Sequence, residues 1–235
     1  MKKVTNLTKK SLTELNSEVV KEYGLNAGAS VVGIAASKDF TLAPTGFKPS
    51  DSLEGCLSVV VLGVPLPKEA ILKDTTIGFI DIRSELNEKM TDIAKNVAKQ
   101  IKANGYKTKV INGLGGKTVN GQFFGYISLK HAAELAGLGI IGKNYLLYNS
   151  EYGNLLWFSA VLTDADLVSD KKVRYKICNN CNKCVEMCPV KALDNLDSFR
   201  KKECSGTVFK KINGKWEIMC FLCRKVCPNR FGKNI

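Results

Sequence analysis

Apolar positions along this 235-residue chain change their spacing several times, and each change marks an element. Leu12, Leu15, Val19 and Val20 recur at the spacing of an amphipathic helix, with Gly24 as its expected stop. Ser30 to Ala36 reads as a strand. Leu57 to Val64 is a continuous apolar run rich in β-branched residues, the pattern of a central strand buried on both faces. A long amphipathic helix follows through Leu86, Met90, Ile93, Ala94, Val97 and Ile101 and ends at Asn104-Gly105. Lys107 to Ile111 is a short strand, Ser128 to Leu138 a helix, and Leu155 to Thr163 a further buried strand. Helices and strands in alternation predict α and β elements wrapped on one sheet. The polar stretch 169–176, S-D-K-K-V-R-Y-K, then breaks the pattern and divides the chain into a domain of residues 1–170 and a smaller unit of residues 171–235. With 45% apolar residues in the whole chain, the first part is long enough to bury a core of its own.

The smaller unit carries the chemistry. Cys178, Cys181, Cys184 and Cys188 read C-x2-C-x2-C-x3-C before Pro189, and Cys220, Cys223 and Cys227 read C-x2-C-x3-C before Pro228, with Cys204 between. Three thiolates two residues apart wrap one face of a cuboidal iron-sulfur cluster, and in this pattern the cysteine before the proline ligates the other cluster. If the second half mirrors the first, Cys178, Cys181, Cys184 and Cys227 hold one 4Fe-4S cluster, and Cys188, Cys204, Cys220 and Cys223 hold the second. Structural zinc explains four such ligands and leaves the others without a role. A disulfide framework suits an exported chain, and residues 1–10 show neither an apolar signal core nor a twin-arginine pair, so a cytoplasmic location is expected. No stretch has the ~18 apolar residues of a membrane span, so no membrane partner is expected. Cys56, before the apolar run, reads as a small buried hydrophobe. Between Cys204 and Cys220, Asn213-Gly214 predicts a two-residue hairpin turn that sets Lys210 opposite Glu217 and Phe209 opposite Ile218; the hairpin either covers the second cluster or serves as a spacer.

Residues 136–144, A-G-L-G-I-I-G-K-N, concentrate three glycines at the end of a helix. They make either a tight helix-to-loop turn or a backbone that approaches a ligand closely. They are not the dinucleotide fingerprint, which follows a strand and opens a helix.

The run S-L-K-H-A-A-E-L-A-G-L-G-I-I-G-K-N-Y-L-L, then Y-G-N-L-L-W-F-S-A-V-L-T-D-A-D-L and the cysteine motif resemble the epoxyqueuosine reductase and reductive dehalogenase family. Residues 31–35 and 58–65 also look like that family's opening strands. The resemblance implies an α+β architecture: a nitroreductase-like α/β cofactor domain followed by a small ferredoxin-like domain with two 4Fe-4S clusters. It further implies a cobalamin (corrinoid) cofactor bound base-off, lying against Gly137, Gly139, Gly142, Lys143 and Asn144, and a reductase acting on a C–O or C–halogen bond. The chain departs from the family where the epoxyqueuosine reductases carry an aspartate, because G-Q-F-F-G-Y-I at 121–127 holds no carboxylate. Tyr126 is the ionisable group there, and the dehalogenase branch implies a tyrosine proton donor. His131 is expected to be a half-exposed helical residue, since the family binds its corrinoid without a histidine ligand.

Charge bears on the partners. The formal net charge is +13, but of 35 basic residues only five are arginine, the better phosphate reader. The chain also stops eight residues after Cys227, without the C-terminal extension that longer members use for tRNA. An acidic electron donor such as ferredoxin or flavodoxin and a small-molecule substrate are expected, ahead of tRNA. The alternative is an electron-transfer protein with two 4Fe-4S clusters whose large domain holds no corrinoid, or holds a flavin.

Overall fold

The structure, a computed structural model, describes residues 15–73, 75–194 and 199–232. The first unit comprises α1 (Ser17–Asn26), β1 (Val31–Ala36), α2 (Pro49–Ser52), β2 (Ser58–Pro65), α3 (Lys68–Leu72), α4 (Phe79–Ala103), β3 (Thr108–Ile111), β4 (Gly116–Val119), β5 (Gln122–Gly125), α5 (Leu129–Leu135), β6 (Ile140–Ile141), β7 (Leu147–Tyr148) and β8 (Leu156–Thr163). The second comprises α6 (Lys183–Glu186), α7 (Lys201–Val208), β9 (Phe209–Ile212), β10 (Lys215–Ile218) and α8 (Leu222–Lys225).

The main sheet has the order β1-β2-β8-β3, with every pairing antiparallel. Its centre follows from the two long apolar runs. β2 is buried from Ser58 to Val64 and pairs along its whole length with β8. Alternate residues serve opposite layers. Val59 and Val61 pack with Ala132, Ala133 and Ala136 of α5, whereas Val60 and Leu62 pack with Val20 of α1 and Met90, Ile93, Ala94, Val97 and Ile101 of α4. Each fully buried valine or leucine contributes about 1.5–3 kcal/mol, so a charge at Val60 would break the α4 side of the sandwich. A third cluster joins the two units, with Leu66, Ile71, Phe79 and Leu155 from the first packing on Ile218 and Phe221 from the second.

Several boundaries differ from the expectation. Leu12 lies outside the described residues. Gly24 does not stop α1, which runs to Asn26 before Gly28 turns the chain with φ 101°. Gly24 is buried because helix and sheet touch there: a Cβ would stand 2.6 Å from Val32 Cγ2 and 2.7 Å from Leu62 Cδ2. α4 begins at Phe79, seven residues before Leu86, because Phe79 is buried in the third cluster. α5 ends at Leu135, ahead of the left-handed Gly137, and α7 runs to Val208, directly into β9. The β4–β5 hairpin had no counterpart in the expectation. Its signal was the dipeptide Asn120-Gly121, with φ 49° and 74°.

Candidate functional site

The second unit is organised around its thiols. Left-handed backbone at Cys178 (φ 62°) and Asn180 (φ 50°) tightens the first loop, and α6 then carries Cys184 to the buried side of the same loop. Cys178, Cys181, Cys184 and Cys227 line one cavity together with Gly142, Asn144, Asn154 and Pro228. Burial pushes the Cys184 thiol up, and Cys178, Cys227 and Cys181 add to it. Cys227 is likewise raised by burial, then by Cys178 and Cys181, against hydrogen bonds from Asn229 and Asn154 that favour its thiolate. Among the described residues no three His, Cys, Asp or Glu side chains converge on a single metal ion; the four thiols stand apart around a space.

The other four form a second group. Cys204, on α7, is raised by burial and then by Cys188 and Cys220. Cys223 is pushed up to about 12, by burial first and then by Cys204 and Cys220, with Cys184 of the first group also acting on it. The two groups are therefore neighbours. The backbone N–H of Ala192 donates to Cys188 Sγ at 3.2 Å, a bond that would stabilise a thiolate. Thiols held this high stay protonated without metal and release protons when a metal takes them as thiolates. The β9–β10 hairpin pairs Lys210 with Glu217 and Phe209 with Ile218, and it reaches across to α4, where Lys215 meets Asp81 at 2.9 Å.

The glycine-rich loop is a seam between the units. A Cβ on Gly137 would stand 2.5 Å from the Lys171 carbonyl, and one on Gly139 would stand 2.2 Å from the Tyr148 carbonyl. One on Gly142 would lie 3.3 Å from Cys178 Sγ. Lys143 Nζ donates to Asn182 Oδ1 at 2.7 Å, and Asn144 Nδ2 donates to the Cys223 carbonyl at 3.0 Å. Of these five residues, Gly142 and Asn144 wall the thiol-lined cavity, and all five lie apart from the larger cavity of the molecule. Asp170 closes the seam from the other side. Its carboxylate accepts from the Ile34 N–H at 2.8 Å and from Lys21 Nζ at 2.7 Å.

That larger cavity, of about 320 Å³, lies between the base of the β4–β5 hairpin, the start of α5, the start of β8 and α8. Ile127, Leu129, Leu147, Leu156 and Phe158 give it apolar walls, and Gly113, Gly115 and Gly125 leave part of its surface as bare backbone. Its polar groups are mostly donors. Lys130 is half-buried with its ammonium on the Tyr145 carbonyl, and desolvation lowers its pKa to about 8. Arg224 is lowered by burial to about 10, and its Nη1 reaches Asn154 Oδ1 at 3.4 Å. Trp157 Nε1 is buried without a partner, and the Arg83 guanidinium lies 5.0 Å over the indole ring. No carboxylate is among the lining residues. Sequence reasoning passed over Lys130 and Arg224, and nothing in their local sequence separates them from surface lysines and arginines.

Tyr126 sits at the rim. Its neighbours Gly125 and Ile127 wall the cavity, while its own ring is 37% exposed with Lys109 Nζ 5.4 Å over it. His131 faces solvent with Nδ1 2.6 Å from Ser128 Oγ, and burial of its ring, followed by Lys130, lowers its pKa. Cys56 is buried beneath the first core, with Sγ donating to the Ser58 carbonyl at 3.4 Å.

Known proteins resemble this chain in both sequence and fold. A 4Fe-4S binding domain model matches residues 171–194. The epoxyqueuosine reductase of Lactococcus garvieae (strain Lg2) is 26% identical over 208 residues, 80% of this chain and 56% of that protein. That of Cyclobacterium marinum is 36% identical over 110 residues, 42% of this chain and 36% of its own length. The chain is similar to epoxyqueuosine reductases. It spans about half the length, or less, of these curated relatives. A reductive dehalogenase structure described in terms of B12-dependent dehalogenation superposes with TM-score 0.74 at 19% identity over 98% of this chain and 34% of the other. An epoxyqueuosine reductase solved with a modified tRNA-Tyr stem loop superposes with TM-score 0.65 at 20% identity over 91% of this chain and 64% of the other. The fold is the one these two structures share, mixed in helix and strand, with a ferredoxin-like unit that begins at residue 171. Among the described residues no helix is long and apolar enough to cross a membrane.

Proposed function

We propose that the chain is an iron-sulfur reductase. Cys178, Cys181, Cys184 and Cys227 hold one 4Fe-4S cluster, and Cys188, Cys204, Cys220 and Cys223 hold a second. The residues that line the larger cavity would hold a corrinoid, to which the two clusters would supply electrons. The observation that carries this reading is the adjacency of two four-thiol groups to a cavity whose wall includes Arg224, the residue after Cys223. A corrinoid, when bound, supplies a low-valent metal that reduces a C–O or C–halogen bond. The lining suits one face of such a ring, with bare backbone at Gly113, Gly115 and Gly125, apolar walls and an unpartnered indole N–H at Trp157 for a ring amide. Its volume lies at the low end of the ~300–1,000 Å³ of small-molecule sites, and a corrinoid is larger, so the ring would extend beyond these walls.

The chain's own groups divide the remaining work. Leu147, Leu156 and Phe158 exclude water, Lys130 and Arg224 keep the cavity cationic, and Tyr126 at the rim donates the proton, since its window 121–127 holds no carboxylate. The substrate is a small molecule, and the electron donor is an acidic protein of the ferredoxin or flavodoxin type drawn by the basic surface. Anaerobic reconstitution followed by cobalamin titration tests the reading. Binding with a base-off absorbance spectrum supports it. About eight irons per chain with a silent titration favour an electron carrier without corrinoid. Specific tRNA binding at ~0.15 M salt would overturn the small-molecule assignment.

A further inference from the structure

Two half-buried cations line the larger cavity without any carboxylate beside them. Lys130 bonds the Tyr145 carbonyl, and the charges around it are Arg224 and Lys201, which repel it, and Cys223 and Cys204. Arg224 faces Arg83, which repels it, and Cys223 and Cys227. Neither makes an ion pair with a carboxylate among the described residues. Burying an ion costs several kcal/mol unless an opposite charge offsets it, and two like charges side by side raise that cost. Neutral thiols offset nothing. Four thiolates around an oxidised cubane carry net negative charge, and each electron added makes the attraction to a fixed cation larger.

We propose that Lys130 is the counter-charge of the cluster held by Cys188, Cys204, Cys220 and Cys223 and raises that cluster's reduction potential, while Arg224 stands between the two clusters. The inference rests on the two-cluster reading above. It names the cluster on which an electron waits beside the cavity. Lys130 meets thiols of the second group alone, Cys223 and Cys204, whereas Arg224 stands between the groups at Cys223 and Cys227, and Lys183, which lines the first cavity, is exposed where water and salt screen its charge. The asymmetry makes the second cluster the better electron acceptor. The cation that holds the electron also lines the chamber where the electron is used.

A potentiometric titration of the anaerobically reconstituted full chain with dithionite, followed by paramagnetic resonance, tests the assignment without any substrate. Each of two steps adds one electron to one cluster. In Lys130→Met and Lys130→Gln, one step moves negative by a tenfold or greater loss of electron affinity, about 59 mV for a one-electron couple, while the other moves less. Lys130→Arg, which keeps the charge, restores the wild-type value. Variants that load iron normally and titrate at unchanged potentials overturn the assignment, and so does an equal displacement of both steps. If wild-type chain binds far fewer than eight irons, the two-cluster reading fails and this inference falls with it. That result is distinct from loaded clusters at unmoved potentials.

Discussion

Gly153→Ala tests how the large unit holds the last thiol of the first group in place. Gly153 has φ 59°, and a Cβ there would stand 2.2 Å from the Arg230 carbonyl oxygen and 2.3 Å from its carbon. These are backbone atoms that no rotamer change can move away. The oxygen would have to retreat by about 0.8 Å before reaching even 3.0 Å, below which real Cβ contacts are essentially unknown. The same carbonyl accepts from the Asn154 N–H at 3.1 Å, and Arg230 N–H in turn donates to the Cys227 carbonyl at 3.1 Å, so the displacement passes directly to a thiol of the first group. Left-handed backbone at a non-glycine residue costs about 1–3 kcal/mol. Overpacking against an unyielding neighbour adds about 1–3 kcal/mol. The expected loss is about 2–6 kcal/mol, or roughly 4–24 °C in thermal midpoint for a chain of this size, with fewer irons retained after reconstitution. Gly55→Ala separates the two contributions, because Gly55 has φ 75° but nothing within 4 Å of its missing Cβ, and it should lose the backbone part alone with full iron content. Anaerobic thermal melts and iron analysis read both variants. A Gly153→Ala chain no less stable than Gly55→Ala, with eight irons, would refute the reasoning.

Cys56→Ser should leave iron at about eight per chain, because Cys56 lies in the first core away from both thiol groups, whereas Cys184→Ser should lose about half; equal iron in the two would contradict the grouping. His131 is the single histidine, so labelled-histidine NMR reads it directly. Its pKa should fall below the ordinary 6.5, since burial and Lys130 disfavour its charged form. The unfolded chain then takes up the proton first, so stability is lost as pH drops from about 6.5 through the folded value, and His131→Gln should remove that slope in pH-dependent melts. A pKa at or above 6.5 would reverse the sign. Asp170→Ala removes the acceptor of the Ile34 N–H and the partner of Lys21 at the join between the units, and should cost about 1–3 kcal/mol in denaturant unfolding; a neutral result would mean that water replaces both bonds.

Much of the scaffold could be read from residue order alone because its signals are local. Three of the four strands of the main sheet, β1, β2 and β8, announce themselves as apolar runs, and a run such as Ser58–Pro65 is buried on both faces whatever its neighbours are. Asn213-Gly214 specifies its own turn and hence the register of β9 and β10. Asn120-Gly121 carries the same information for β4 and β5, and was as legible had it been weighed. Helix ends were less legible, since Gly24 and Phe79 answer to a sheet and a core cluster distant in sequence.

The sequence by itself determined that eight cysteines sit in two spaced sets, C-x2-C-x2-C-x3-C and C-x2-C-x3-C with Cys204 between, and that helices and strands alternate before them, because spacing and periodicity are properties of neighbouring residues. Only the tertiary structure decided what the glycines of residues 137–142 do. Read alone they allow a ligand approach or a turn, and folded they let the Lys171 and Tyr148 carbonyls and the Cys178 thiol come within touching distance. It alone also decided that Lys130 and Arg224, two of 35 basic residues, line the larger cavity. Burial of a charge depends on what the rest of the chain places around it, and the anion that would offset that cost is written nowhere near either residue.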